Sequence, residues 1–154
     1  MSTSAGKANR TGQTLEHQVE RLIMDRGYIW LPQNRIEAAK ILKQPFYTHQ
    51  FPISKSLYEG KNTRADFILL HPEKHPDFLI IECKWQQGGG TTEEKLPYLV
   101  LNIKQNYPYE TMVVIDGGGH TKGAIKWIHK QQGGRIKMVC DMAKLMKLAN
   151  NGFI

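Results

Sequence analysis

The segment RADFILLHPEKHPDFLIIECKW, Arg64 to Trp85, decides the fold. It holds two apolar runs, Ala65 to Leu70 and Phe78 to Trp85, joined by a turn rich in proline and charge. Each run carries a carboxylate, Asp66 or Glu82, where an apolar residue would be safer. In the second run Leu79, Ile81, Cys83 and Trp85 alternate with Phe78 and Ile80, so both faces are apolar and a central strand is predicted. Glu82 and Lys84 share the face of Phe78 and Ile80. In an antiparallel hairpin centred on Lys74, Leu70 pairs with Phe78 and Asp66 falls opposite Glu82, with Cβ atoms ~5 Å apart. Two carboxylates so placed repel each other and lose hydration unless a proton or a cation intervenes. A divalent metal is the natural remedy, and a structural Asp–Lys–Glu cluster neutralised by Lys84 is the alternative. Hard oxygen donors with no His or Cys grouping favour Mg2+ or Mn2+ over zinc.

Around this hairpin the pattern alternates between helical and extended periods. TLEHQVERLIMDRGY places Leu15, Val19, Leu22 and Ile23 on one helical stripe, with Gly27 as a stop. Glu16 sits at the edge of that stripe beside Ile23 and can look toward a sheet, whereas Glu20 lies farther round toward solvent. RIEAAKILK is a shorter helical candidate, and FYTHQFPI is a strand interrupted by Pro52. Downstream, Thr91 and Glu94 form a capping box ahead of a helical face in which Pro97 is awkward. TMVVID is a buried strand, TKGAIKWIHKQ a helix, RIKMVC a strand, and DMAKLMKLAN a helix capped by Asp141. The order predicts an α/β domain with a mixed central β-sheet flanked by helices.

The chain has 154 residues, one domain's length, and no run approaches a membrane span. Residues 1–12 read as a flexible polar N-terminal arm and residues 13–154 as the folded domain. The opening lacks the apolar centre of a secretory signal, and Cys83 and Cys140 have no disulfide or zinc spacing, so a soluble cytoplasmic protein is expected. Lys and Arg number 21 against 14 Asp and Glu, and the excess is concentrated in the last quarter of the chain. Such a balance suits an anionic partner, nucleic acid above all, with no membrane.

Glu16, then Asp66, then Glu82-Cys83-Lys84, in the order helix, strand, strand, resembles the PD-(D/E)XK nuclease superfamily. The likeness runs from about Leu15 to Val139, and ECKWQQGGGTTEEK is similar to the type II restriction endonuclease branch, where a glutamine after the lysine is frequent. Ala65 stands where the family pattern has proline. The resemblance implies a restriction-endonuclease-like αβββαβ core and a Mg2+-dependent DNA endonuclease, with Mn2+ able to substitute. Asp66 and Glu82 would hold the metal, with the Cys83 backbone carbonyl as a further ligand and Glu16 acting through water. Lys84 would orient or deprotonate the attacking water and stabilise charge on the phosphorus; Gln86 would touch the water or the scissile phosphate. Double-stranded DNA is the implied substrate, cut by a homodimer because one such site breaks one strand. A Holliday-junction resolvase or repair nuclease of the same fold is the nearest alternative, and a catalytically silent DNA-binding module the alternative from another class.

Other signals are weaker. VVIDGGGHTKGAI mimics a phosphate loop, but Thr121, Lys122, Gly123 reverses the order such a loop needs, which argues against nucleotide hydrolysis. Lys122, Lys126 and Lys130 form a ridge on one helix face able to meet phosphate backbone, with His120 as a further phosphate contact. His17, His71 and His75 lack metal spacing and read as surface residues. Trp30, Trp85 and Trp127 lie in apolar contexts and read as core.

Overall fold

The computed structural model describes residues 4–88 and 92–154, and side chains from Thr14 onward. Its elements run α1 (Ser4–Asp25), β1 (Ile29–Trp30), a 3-10 turn (Ala38–Leu42), β2 (Phe46–Ile53), β3 (Thr63–His71), β4 (His75–Trp85), α2 (Thr92–Asn106), β5 (Thr111–Asp116), α3 (Lys122–His129), β6 (Ile136–Cys140) and α4 (Met142–Asn150). The strands form one six-stranded sheet in sequential order. β2, β3 and β4 are antiparallel neighbours, whereas β1 runs parallel to β2, and β4, β5 and β6 are mutually parallel. This is the expected mixed α/β sheet, with the added two-residue edge strand β1.

Each face of the sheet is covered by two helices. Leu15, Val19 and Ile23 of α1 and Leu145 and Ala149 of α4 pack on Phe67, Leu69, Leu79 and Ile81. Leu96, Leu99, Val100 and Ile103 of α2 and Ile128 of α3 pack on Ile68, Leu70, Ile80 and Val113. Alternation along β3 and β4 therefore feeds two cores. A large aliphatic side chain buried in either contributes roughly 1.5–3 kcal/mol over leaving it exposed.

Three local readings are corrected. The helix begins within the segment read as a polar arm: α1 starts at Ser4. A polar stretch has no apolar stripe to announce it, and extending an existing helix requires no new nucleus. RIEAAKILK yields a short 3-10 turn, ended by Lys43 at φ 52. α2 contains Pro97 in its interior, on an exposed position, so one helical hydrogen bond is forgone there. Thr91 lies outside the described residues, whereas Asp141 caps α4 as expected, accepting from the Lys144 amide at 2.8 Å.

Three aromatic and histidine assignments also change. Trp30 and Trp127 are exposed, and Trp85 packs on the α1 side of the sheet. His75 is buried, its Nε2 2.7 Å from the Phe153 carbonyl oxygen. Burial lowers its pKa, against the opposing pull of the Phe153 carbonyl.

Candidate active site

The β3–β4 hairpin keeps the predicted register at Phe67–Ile81, Ile68–Ile80 and Leu69–Leu79, and loses it at both ends. Toward the turn, the pairing shifts after Leu69 and resumes at His71–His75. Leu70 and Phe78 therefore do not pair, and Phe78 takes φ 72 to absorb the extra residues on the β4 side. Toward the other end, pairing stops at Phe67–Ile81 although both strands continue. β3 stays with β2 through Thr63, and β4 stays with β5 through Trp85. The two strands part at Asp66 and Glu82.

Asp66 fills that opening. Its Oδ2 accepts the Cys83 amide at 2.7 Å, taking the place of a main-chain partner that the parting strands remove. The two carboxylates are thus near neighbours, as expected, but by a side chain reaching across a gap rather than by opposed main-chain pairing. β2 bends at the same level. Gln50 stands at φ 52, and it drops out of the β2–β3 pairing between His49–Phe67 and Phe51–Ala65. A non-glycine residue there is strained. The bend also moves Phe51, Ile53 and Ala65 to the α2 side of the sheet, whereas Tyr47 and Phe67 lie on the α1 side.

The gap brings both faces of the sheet to one carboxylate. Glu82 follows Ile80 on the α2 side and is 2% exposed. Its Oε1 accepts the Tyr107 hydroxyl at 2.6 Å, a buried hydrogen bond worth roughly 0.5–1.5 kcal/mol. Glu16 comes from α1 on the opposite side and lies within hydrogen-bonding reach of Asp66, as Glu82 does. Glu20 is half-buried, meeting the Tyr47 hydroxyl rather than solvent. Gln50 Nε2 stands 3.5 Å from Asp66 Oδ1, and its own carbonyl accepts from Gln33 at 2.7 Å.

These carboxylates are over-crowded with negative charge. Burial, then the Asp66 charge, raise the Glu82 pKa well above the ordinary carboxylate range, against the opposing pull of Lys84 and the Tyr107 hydroxyl. Glu16 is pushed up to about 7 by burial first and Asp66 second, with Lys84 again opposing. One lysine does not neutralise the group. The Cys83 thiol faces the α1-side core, where burial pushes its pKa well up, so it is a packing group and no nucleophile.

The sign of the pH effect follows. A native carboxyl at about 7, against an ordinary value of 4.5, binds a proton that the unfolded chain has released. Metal-free protein is therefore expected to lose stability as pH rises from about 4.5 to about 7, with Glu82 adding to the same trend. Urea unfolding across that range measures it, and Glu16→Gln should make the decline shallower. A slope unchanged in the variant would contradict the coupling.

Glu82 and Lys84 line a cavity of about 420 Å³ with Arg64, Lys95, Tyr98 and Tyr107 among its walls. A larger cavity, about 580 Å³, opens between α3, β6 and α4. Its carboxylates are already engaged, since Asp116 accepts the Gly117 and Met142 amides and Asp141 caps α4. The crowded carboxylate of Glu82 and the Lys84 ammonium both line the smaller one.

Other predicted site residues go elsewhere. Gln86 is past the end of β4, its Nε2 donating to the Gly119 carbonyl at 3.2 Å, so it is tied to the glycine loop instead of following Glu82 and Lys84. Gly117 and Gly119 serve that loop: a Cβ on either would stand 2.4–2.6 Å from the Gln86 carbonyl oxygen. His120 lines the larger cavity, and burial lowers its pKa. Glu93 accepts the Thr121 amide and hydroxyl at the start of α3, filling the place a phosphate would take. Lys122, Lys126 and Lys130 are exposed on α3, outside the walls of the Glu82 cavity. Tyr107, Gln50, Arg64 and Lys95, which do reach the site, carried no motif.

The sheet thus parts around two carboxylates with a lysine beside them. Residues 7–153 match the sequence model of the PD-(D/E)XK nuclease superfamily domain, and the chain belongs to that superfamily. Its nucleases generally use divalent metals, and their substrate class is DNA. Neither the curated proteins nor the solved structures contain a significant match. Among the described residues, no helix is long and apolar enough to cross a membrane.

Proposed function

We propose that this chain is a Mg2+-dependent DNA endonuclease of the type II restriction-like kind, with Asp66, Glu82 and Lys84 as its working side chains. The observation that carries the reading is the parting of β3 from β4, which leaves Asp66 and buried Glu82 side by side with Lys84 next to them. Two crowded carboxylates fit a divalent cation. Mg2+ keeps several waters and is bound through one or two carboxylates. That suits a site where, among the described residues, no three or more His, Cys, Asp or Glu form a cage. Asp66 and Glu82 would hold the ion, with the Cys83 carbonyl beside them and Glu16 acting through water. When bound, the ion polarises the phosphoryl group and lowers the pKa of water.

The chain's own groups supply the rest. The Tyr107 hydroxyl fixes one oxygen of Glu82 and leaves the other available. The Cys83 amide fixes Asp66 Oδ2, while Oδ1 meets only the long contact from Gln50 Nε2 at 3.5 Å. Lys84 orients the attacking water and meets the charge that builds on the phosphoryl oxygens. A symmetric pair of chains is the simplest arrangement for cutting both strands, one site to each. The exposed Lys122, Lys126 and Lys130 ridge would contact the phosphate backbone. Cys83 and Cys140, both free and buried, fit a cytoplasmic setting.

Incubation with long DNA of mixed sequence, and separately with four-way junctions, tests the reading in Mg2+ and in Mn2+. Discrete fragments are expected from the duplex. Selective cutting of junctions would replace the restriction-like reading with a resolvase, and binding without hydrolysis in either ion would leave a silent module.

A further inference from the structure

We propose that the cavity beside Glu82 and Lys84 receives an unpaired nucleotide of the DNA, its base stacked on Tyr58 and its phosphates met by Lys61, Arg64 and Lys95. The inference rests on the nuclease reading and narrows its substrate. All of these residues line the same cavity as Glu82 and Lys84.

Tyr58 is 62% exposed, an unusual place for a large ring. Yet its loop is firmly built. Ser56 Oγ lies 2.8 Å from both the Tyr58 and the Lys61 carbonyl oxygens, the Lys61 amide donates to Tyr58 O at 3.1 Å, and the Leu57 amide donates to Asn102 Oδ1 at 2.9 Å. Asn102 is itself buried in α2. The ring is thereby held out of the core at a fixed position. Behind it stands Tyr98, centroid to centroid 5.3 Å, and Lys61 Nζ lies 5.8 Å from one ring and 5.2 Å from the other.

An exposed aromatic ring with a cation over it and further cations around it is one means by which proteins hold single-stranded bases. Lys61, Arg64 and Lys95 form no ion pair among the described residues, which leaves their charge for phosphates. Paired and stacked bases hide their faces from such a ring, so a base must be free of its neighbours to use it. The unpaired nucleotide can come from a gap or single-stranded end, or be drawn from an intact duplex.

The test is equilibrium binding in chelator, where hydrolysis does not intervene. The probes are a flush duplex and a duplex with a short single-stranded gap, each with 2-aminopurine at the varied position. The expected result is quenching of the gapped probe by wild type, and loss of about tenfold in affinity for it in Tyr58→Leu, with Tyr58→Trp restoring both. Quenching of the gapped probe alone assigns a pre-existing free base; a fluorescence change in the flush duplex that is likewise lost in Tyr58→Leu assigns extrusion. Absence of quenching of the gapped probe, or an equal loss of affinity on both probes in Tyr58→Leu with no fluorescence change in the flush one, overturns the proposal. Cleavage in Mg2+ without quenching would reject the nucleotide pocket alone. Quenching without cleavage would reject hydrolysis while retaining the pocket.

Discussion

Replacing Lys84 by alanine is expected to slow DNA cleavage by about a hundredfold or more while leaving DNA affinity close to that of wild type. In the proposed mechanism the ammonium acts on the attacking water and on charge that develops only in the transition state. It should therefore contribute little to ground-state binding. The local structure favours a clean result, because Lys84 is half-exposed at the cavity wall and forms no ion pair among the described residues. Single-turnover cleavage and equilibrium binding, measured on the same DNA, separate the two quantities. Cleavage within about tenfold of wild type would remove Lys84 from its role, since a positioned charge or general base supplies more than that.

The second large effect is expected at Asp66, where two substitutions divide two functions. Asp66→Asn keeps an oxygen that can accept the Cys83 amide but removes the charge. It should abolish both Mn2+ binding at the site and cleavage, and it should stabilise metal-free protein at neutral pH. Glu16 and Glu82 are both raised in part by the Asp66 charge, so each ionises more readily without it. Asp66→Ala removes the acceptor as well. Leaving that part-buried amide unpaired costs about 1–3 kcal/mol, so the alanine variant should melt below the asparagine one. Calorimetric Mn2+ titration and thermal unfolding in chelator measure both effects. Equal Mn2+ affinity in wild type and Asp66→Asn would count against the metal assignment.

Why was the fold so legible in the sequence? The apolar runs of β3, β4 and β5 are long, and their period is unbroken, so burial on two faces follows from composition alone. The same regularity set the register through Phe67–Ile81, and with it the proximity of Asp66 and Glu82. Where backbone leaves the regular path, the pattern falls silent. Neither Gln50 at φ 52 nor Phe78 at φ 72 belongs to a residue type that announces a left-handed conformation. The strand parting is invisible for a related reason, since β3 stays with β2 on either side of Asp66 and β4 stays with β5 through Trp85.

Site residues divide along the same line. Glu82 and Lys84 are joined by two-residue spacing, which a strand converts directly into a shared wall. Tyr107, Asn102 and Tyr58 reach that wall through a helix and two loops, and no spacing in the chain encodes contacts across elements. Gln86 misled for the converse reason: its spacing is right, but β4 ends at Trp85 and the glycine loop claims its side chain. The phosphate-loop likeness of Gly117 to Gly119 reflects backbone packing on Gln86 and Gln87.

In the proposed mechanism Asp66 and Glu82 together hold a divalent cation next to Lys84. Anomalous diffraction from crystals soaked in Mn2+ tests it most directly. A Mn2+ peak shared by the Asp66 and Glu82 carboxylates is expected in wild type and should be lost in Asp66→Asn. No peak at these residues, with Mn2+ instead beside Asp116 and His120 in the larger cavity, would contradict it.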